Sequence, residues 1–486
     1  MTTTLSEDAT AGTSGGIGPG ETDVDGAGPS SPTSLSMEPT PTGDSLFNTI
    51  AGVMGNVLEW YDFALFGFFS DVIAEIFFPP AEEGSYANLI DSFVIFGSAF
   101  LMRPIGGLLI GYVGDKHGRK EALTKSLFLM AIPTTLMGCL PTYQQVGPAS
   151  TVLLSLCRLV QGVSVGGQLP ASLVYTVEKR PRSQWGYYGS LPMMAANIGT
   201  LLGNLCGALM RALLTEEQLM AWGWRLPFLS GILIAFVACY LRKYGGEVAT
   251  PGDKPRHHNP IKVALLPENR LALLSTAVVP MLWAAGFYVS FVWMSIYMED
   301  LMEPPVPEAF WVNSLGLLLG MTWVLPVAGS ISDRVGRIPI MTASGLLLAA
   351  LGPVCLILIS KGNPFVAVAS QLVLGTLLSF FGGPLCAWLV ESFSPEVRMT
   401  SASIGYDVSH AIAGGFSPAI ATALYTSYGT AATGLVYVIF GLLSVAGLYF
   451  PKCCGRADKE SDTGGTPGGA GEVEMPTPAE GENKIV

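Results

Sequence analysis

Apolar stretches of roughly 18 to 28 residues recur along the chain, separated by short polar loops. As helices rising 1.5 Å per residue they are long enough to cross about 30 Å of hydrocarbon. Twelve such stretches are counted, at 46–77, 86–112, 121–140, 150–177, 184–212, 223–242, 270–298, 308–332, 339–360, 364–391, 400–428 and 431–450. The longest polar interruption falls after the sixth. This pattern predicts an all-α membrane protein with twelve transmembrane helices in two pseudo-symmetric six-helix bundles, residues 45–242 and 270–452. A central loop, 243–269, joins them. Residues 1–44 and 453–486 are rich in Gly, Ser, Thr, Pro and acids, and cannot bury enough apolar surface to fold, so both are expected to be disordered tails. The first tail has the pattern of neither a secretory signal nor a mitochondrial transit sequence.

Composition agrees with lipid as the surrounding partner. Of 486 residues, 50% are hydrophobic and 13% charged, roughly half the charged share of a soluble domain. The net charge of -12 comes mainly from the two acidic ends, which leaves the centre nearly neutral. Without a long basic run or basic face, no nucleic-acid partner is expected. The eight cysteines lie mostly singly in apolar stretches with no CxxC pair, which supports neither a disulfide framework nor a metal site. Cys453 and Cys454, at a membrane edge, are either inert thiols or palmitoylation sites. No cofactor is implied.

Alternate loops differ in basic residues. Fifteen Lys and Arg fall on one side, among them Lys116, Lys179, Arg242, Arg334 and Arg398, against Arg211, Arg225 and Lys361 on the other. The positive-inside bias puts both termini in the cytoplasm, in what is expected to be a plasma membrane.

The loops also repeat. Gly111-Tyr-Val-Gly-Asp-Lys-His-Gly-Arg-Lys120 follows the second stretch and Gly329-Ser-Ile-Ser-Asp-Arg-Val-Gly-Arg-Ile338 follows the eighth. Glycines make such a loop turn tightly. Its carboxylate and cations sit at a helix end, where they can pair with one another and with neighbouring helix termini. Gly111, Asp115, Gly118 and Arg119, with Asp333, Arg334, Gly336 and Arg337, are therefore candidates for a cytoplasmic gate.

These loops resemble the signature of the major facilitator superfamily, and Arg158-Leu-Val-Gln-Gly162 resembles its RxxQG motif. Gly55-Asn-Val-Leu-Glu-Trp-Tyr-Asp-Phe63, Phe100-Leu-Met-Arg-Pro-Ile-Gly-Gly107 and Trp222-Gly-Trp-Arg-Leu-Pro-Phe228 are similar to the metabolite:proton symporter family, with its carriers of citrate, 2-oxoglutarate, shikimate, proline and betaine. The likeness covers about residues 46–450. It implies alternating-access transport of a small metabolite coupled to protons. One departure stands out: many members read V-G-G-E in the fourth helix, and this chain has Val165-Gly-Gly-Gln168.

An ionisable group inside a bilayer costs about 2.5 to 3.5 kcal/mol on insertion scales, so it normally faces protein or an aqueous cavity. In the first stretch Asn56, Glu59, Asp62 and Phe66 share one helix face. Two carboxylates one turn apart repel when both are ionised, a condition suited to loading and releasing a proton. Glu59 or Asp62 is thus the candidate proton carrier; the alternative is a fixed network with Arg103 or Arg158. Arg103 lies roughly 14 Å from the end of its helix, at 1.5 Å per residue, too deep to snorkel. Its planar fork suits a substrate carboxylate, and the alternative is an ion pair with Asp62 or Asp91. Arg158 with Gln161 and Gln168 forms a second polar stripe, with Arg158 assigned to coupling or helix positioning. Asp407 and His410 share a face of the eleventh stretch and are expected to pair, as a pH-sensitive relay or as structure.

Asn56, Gln161, Gln168, Tyr288 and Trp293 join Arg103 as substrate-binding candidates, with Trp283 and Tyr297 as further wall or packing aromatics. Gly199, Gly203 and Gly207 allow close helix approach, either inside the monomer or in a dimer. The expected function is proton-coupled symport of a small carboxylate-bearing metabolite by a monomer. A zwitterion such as proline or betaine is the alternative solute. A channel or a transport-dead sensor is the alternative class. No HExxH, GxSxG or phosphate-cradling motif marks an enzyme.

Overall fold

The computed structural model describes residues 44–80, 85–117, 119–166, 172–173, 176–177, 180–244, 267–393 and 398–453. The expected tails and central loop therefore fall almost entirely outside the described residues. Helix is the rule in what remains, and no strand occurs among the described residues. A backbone in hydrocarbon must satisfy its own hydrogen bonds, and a helix does so within one segment.

The first half comprises α1 (Asp44–Phe68, continued by Ser70–Ile76), α2 (Ala87–Leu101 and Arg103–His117), α3 (Arg119–Cys139), α4 (Ala149–Val165), α5 (Trp185–Leu213) and α6 (Arg225–Leu229 and Gly231–Tyr244). The second comprises α7 (Arg270–Leu301), α8 (Ala309–Val335), α9 (Arg337–Ile359), α10 (Pro364–Glu391), α11 (Arg398–Ser409, His410–Gly414 and Ser417–Tyr428) and α12 (Leu435–Cys453). Among the described residues, eight helices are both long and apolar enough to cross a membrane. Glu59 and Asp62 lower the hydropathy of α1, and α11 is broken by polar residues and short irregular turns.

Packing obeys a two-fold pattern. In the first half α1 packs on α5, α2 on α4, and α3 on α6; in the second, α7 packs on α11, α8 on α10, and α9 on α12. Across the halves α2 meets α11 and α5 meets α8. These two cross-contacts exchange when the halves are exchanged, as a pseudo-two-fold requires. Large apolar side chains such as Leu109, Phe236, Trp323 and Leu442 are exposed on the outer faces, where lipid rather than water would meet them.

Two glycine positions set how closely helices approach. A Cβ at Gly162, the last residue of the RxxQG segment, would overlap the Ala99 carbonyl of α2, and one at Gly106 would overlap the Val163 carbonyl of α4. α2 and α4 therefore touch backbone to backbone beside Arg103 and Arg158. Gly199 and Gly203 likewise seat α5 against α1, while Gly207 faces Phe310 of α8. The small-residue stripe is used inside the monomer.

α7, α8 and α11 each widen into π-helical turns, at Tyr288–Trp293, Tyr297–Leu301, Gly316–Thr322 and His410–Gly414. A π-turn releases backbone carbonyls from the usual ladder. Carboxamides of neighbouring helices take them: Asn313 donates to the Phe291 carbonyl at 2.7 Å, Gln371 to the Ser290 carbonyl at 3.0 Å, and Asn197 to the Leu317 carbonyl at 3.2 Å.

Candidate functional site

The first half contributes a buried polar network. Asp62 on α1 accepts from Gln161 Nε2 at 2.9 Å, and the same nitrogen donates to Thr134 of α3 at 2.8 Å. Gln161 Oε1 accepts from Arg158 at 2.9 Å, and Arg158 also donates to the Phe96 carbonyl of α2 at 3.2 Å. The rings of Phe63 and Phe66 each lie 4.5 Å from its guanidinium carbon. A planar cation held by rings and amides loses its water with less penalty than a bare charge does. The predicted second polar stripe is thus a fixed support for Asp62, and it leaves Gln161 engaged on both sides. Gln168 lies outside the described residues.

Arg103 does not pair with Asp62 or Asp91. It crosses to the other half, where its Nε lies 3.2 Å from Asp407 Oδ1, and both side chains are buried. Asp91 faces outward and is exposed, while Asp62 is held by Gln161. Both terminal nitrogens of Arg103 lack a hydrogen-bond partner. Its guanidinium rests 5.7 Å from the Phe100 ring and 5.8 Å from the Tyr406 ring.

The expected pairing of Asp407 with His410 is not formed. His410 opens a π-turn, which redirects its ring: it packs on Tyr406, centroids 3.9 Å apart, with Nδ1 2.9 Å from the Tyr406 carbonyl. A carbonyl only accepts, so Nδ1 carries the hydrogen and Nε2, which has no partner, is the acceptor of the neutral ring.

Glu59 is 2% exposed, yet neither of its oxygens has a hydrogen-bond partner. It lies on the same face of α1 as Asp62, one turn away, within electrostatic reach of Arg103 and Asp407. Asn56, one turn earlier, donates to Ser172 at 3.1 Å.

A small cavity of about 10 Å³ lies between the halves. Trp60, Trp283, Phe287 and Tyr288 give it aromatic walls, Met193 and Ala196 close it, and Asn197 and His410 supply polar edges. Tyr288 and Trp283 are the sequence-nominated aromatics that reach it. Trp293 does not: its indole donates to Thr422 at 2.9 Å and its ring stacks on Tyr297 at 4.5 Å, so it is a packing residue. Trp60, Asn197 and Tyr406 were missed. A carboxamide in an apolar helix was the available signal for Asn197, and Trp60 beside Glu59 for its neighbour.

Both ends are shut. At the end bearing the repeated loops, Asp333 accepts from the backbone N–H groups of Gly186 and Tyr187 at 2.8 and 2.9 Å, capping the start of α5. Arg337 pairs with Asp333 at 2.7 Å and with Glu391 at 3.2 Å; Gly336, at φ 101°, makes the turn that brings it there. Arg334 points outward and is exposed. Gly118 and the side chains of Gly111, Asp115 and Arg119, from the first loop, lie outside the described residues, as do Cys454 and the side chain of Cys453. At the opposite end Arg211 of α5 joins Asp71 of the first half at 2.5 Å and Glu299 of α7 at 3.4 Å. Asn204 donates to Ser314 and to the Phe310 carbonyl of α8 beneath it.

A family model described as "Sugar (and other) transporter" matches residues 47–244, and one described as "Major Facilitator Superfamily" matches residues 297–472. The citrate-proton symporter of Klebsiella pneumoniae is 32% identical, over 81% of this chain and 90% of that protein. The chain belongs to the major facilitator superfamily, in its metabolite:proton symporter family. The inner membrane metabolite transport protein YhjE of Escherichia coli is 31% identical over 85% of this chain and 94% of its own length, and the proline/betaine transporter of Salmonella typhimurium 29% over 78% and 77%. Among solved structures, a D-xylose-proton symporter superposes with a TM-score of 0.65 at 20% identity, covering 84% of this chain and 97% of that one. The xylose transporter XylE from E. coli, in a partially occluded inward-open conformation, gives 0.64 at 18%, with 83% and 96% covered. These structures share the fold. The protein is a multi-pass membrane transporter of a proton-coupled symporter family, not an enzyme.

Proposed function

We propose that the protein imports a small carboxylate-bearing metabolite together with protons by alternating access. One observation carries this reading: Arg103 is buried between the halves, tied through Nε alone to Asp407, with both terminal nitrogens unengaged beside the unpartnered Glu59. A guanidinium held by one edge offers its other edge to a carboxylate bidentately. Because Asp407 belongs to the opposite half, substrate binding at Arg103 changes the balance that holds the halves together.

Glu59 is the proposed proton carrier. A buried carboxylate without hydrogen bond or ion pair is strongly disfavoured as an anion, which suits a group that takes up a proton when it is sealed from water. Asp62, one turn along the same helix face, is held instead by the Gln161–Arg158 network. The end bearing the repeated loops is assigned to the cytoplasm from the excess of Lys and Arg there, together with both termini and residence in a plasma membrane. The protein is taken to act as a monomer, built as two bundles, 45–242 and 270–452.

A second reading, uptake of a zwitterion such as proline or betaine, is favoured by the rings around the cavity, which suit an ammonium group. With one proton, a zwitterion carries one positive charge inward, driven by about 2.3 kcal/mol per 100 mV, whereas a monocarboxylate anion with one proton is electroneutral. Radiolabelled uptake into proteoliposomes under an imposed pH gradient tests the proposal. Saturable, counterflow-competent accumulation of a carboxylate supports it, and linear non-saturating flux would mark a channel.

A further inference from the structure

The buried ions around the cavity constrain how many carboxylates a substrate can bring. Of the two guanidiniums near it, Arg158 spends both terminal nitrogens, one on Gln161, which holds Asp62, and one on the Phe96 carbonyl; only its Nε is left, with the Phe63 and Phe66 rings against the group. Arg103 keeps one edge for Asp407 and has one edge left. That edge holds one carboxylate.

The cavity lining itself carries no charged side chain, and two of its unpartnered polar atoms are acceptors. Asn197 uses its amide nitrogen on the Leu317 carbonyl and on Thr322, which leaves Oδ1 without a partner. His410 presents Nε2 as an acceptor, because Nδ1 is directed to the Tyr406 carbonyl. Trp60 Nε1 and the Tyr288 hydroxyl are also unpartnered. All four residues are buried and line the cavity. A second ionised carboxylate would receive hydrogen bonds from Trp60 and Tyr288 at most; it has no hydrogen to give Asn197 Oδ1 or His410 Nε2, and it would lie there without a counter-cation. A hydroxyl or N–H satisfies both acceptors. A quaternary ammonium has no hydrogen and satisfies neither.

Resting on the reading of Arg103 as the carboxylate anchor, we infer that the site selects a metabolite with a single carboxylate whose body carries O–H or N–H donors, and that it excludes di- and tricarboxylates. Arg103 and His410 both lie against the Tyr406 ring, 5.8 Å and 3.9 Å from its centroid, which gathers the anchor and one of the acceptors around a single aromatic side chain.

The test is uptake of radiolabelled shikimate, proline, betaine, 2-oxoglutarate and citrate, one at a time, into proteoliposomes holding the full chain under the same inward proton gradient. Shikimate brings one carboxylate and three hydroxyls, proline one carboxylate and an N–H, betaine one carboxylate and no donor. We expect shikimate or proline to enter at least about a hundred-fold faster than 2-oxoglutarate or citrate, the scale set by an unpaired charge at mid-membrane. Betaine should trail proline by about ten-fold or more, the scale of one or two lost hydrogen bonds. Entry of 2-oxoglutarate or citrate within ten-fold of the best monocarboxylate would overturn the selection by carboxylate number and leave the carboxylate symporter standing. Betaine entering as fast as proline would overturn the donor requirement. Uptake of none of the five, by protein that retains its thermal unfolding transition, overturns both this inference and the reading it rests on.

Discussion

Arg103 on α2 and Asp407 on α11 form an ion pair 3.2 Å long, both side chains buried, that joins the two halves of the protein. Removing one partner of such a pair leaves the other charge uncompensated, at a cost of about 3–5 kcal/mol. The pair is also the contact that a substrate carboxylate would share. On the proposed reading, it would link occupancy of the site to the separation of the halves.

Arg103→Lys keeps the charge and loses the fork. Uptake should fall by about ten-fold or more, as expected when a bidentate contact is reduced to a point charge. Asp407→Asn should abolish uptake and lower the thermal unfolding midpoint. Uptake kinetics unchanged in Arg103→Lys would remove the guanidinium from substrate contact.

Glu59→Gln mimics the permanently protonated side chain. It should lose accumulation driven by a proton gradient while retaining exchange of labelled for unlabelled substrate. Asp62→Asn, by contrast, should damage stability as well as coupling, because Asp62 is hydrogen-bonded to Gln161. Full gradient-driven accumulation in Glu59→Gln would show that the proton travels elsewhere.

Asp333→Asn weakens two backbone hydrogen bonds at the start of α5 and the pair with Arg337. Hydrogen bonds to a charged group contribute about 1.5–3 kcal/mol each, so the loop end should open more often. Cysteine-labelling at the buried Ser332 of α8 should speed up in the variant. An unaltered labelling rate would deny Asp333 a part in closure.

Arg211→Ala breaks the link from α5 to Asp71 and Glu299 at the other end. The same labelling assay, with the reporter at Ser314 beside Asn204, should register greater access there, with little change at Ser332. Equal changes at both ends would point to general destabilisation instead.

Gly162→Ala places a methyl group against the Ala99 carbonyl, which is backbone and has little freedom to move. Overpacking of this kind costs about 1–3 kcal/mol. The variant should unfold several degrees earlier in a thermal scan, and a midpoint equal to the parent's would mean that α2 and α4 separate easily.

The amino-acid sequence by itself determined the class of fold and the inventory of buried chemistry. Spans of the required length, six before the polar interruption and six after it, follow from hydropathy because lipid forces every backbone group to be paired locally. Glu59, Asp62, Arg103, Arg158 and Asp407 were legible as exceptions to that hydropathy, since a charge is retained at such depth only where protein or water receives it. Tertiary structure alone decided the partners. Helix spacing put Asp407 beside His410, but the π-turn at His410–Gly414 swings the ring onto Tyr406, and Arg103 reaches Asp407 from a helix more than three hundred positions away. Trp293 and Tyr288 look alike in sequence, yet one faces Thr422 and the other the cavity. Periodicity reports which residues share a face of one helix; which helix that face meets depends on how twelve helices pack at once.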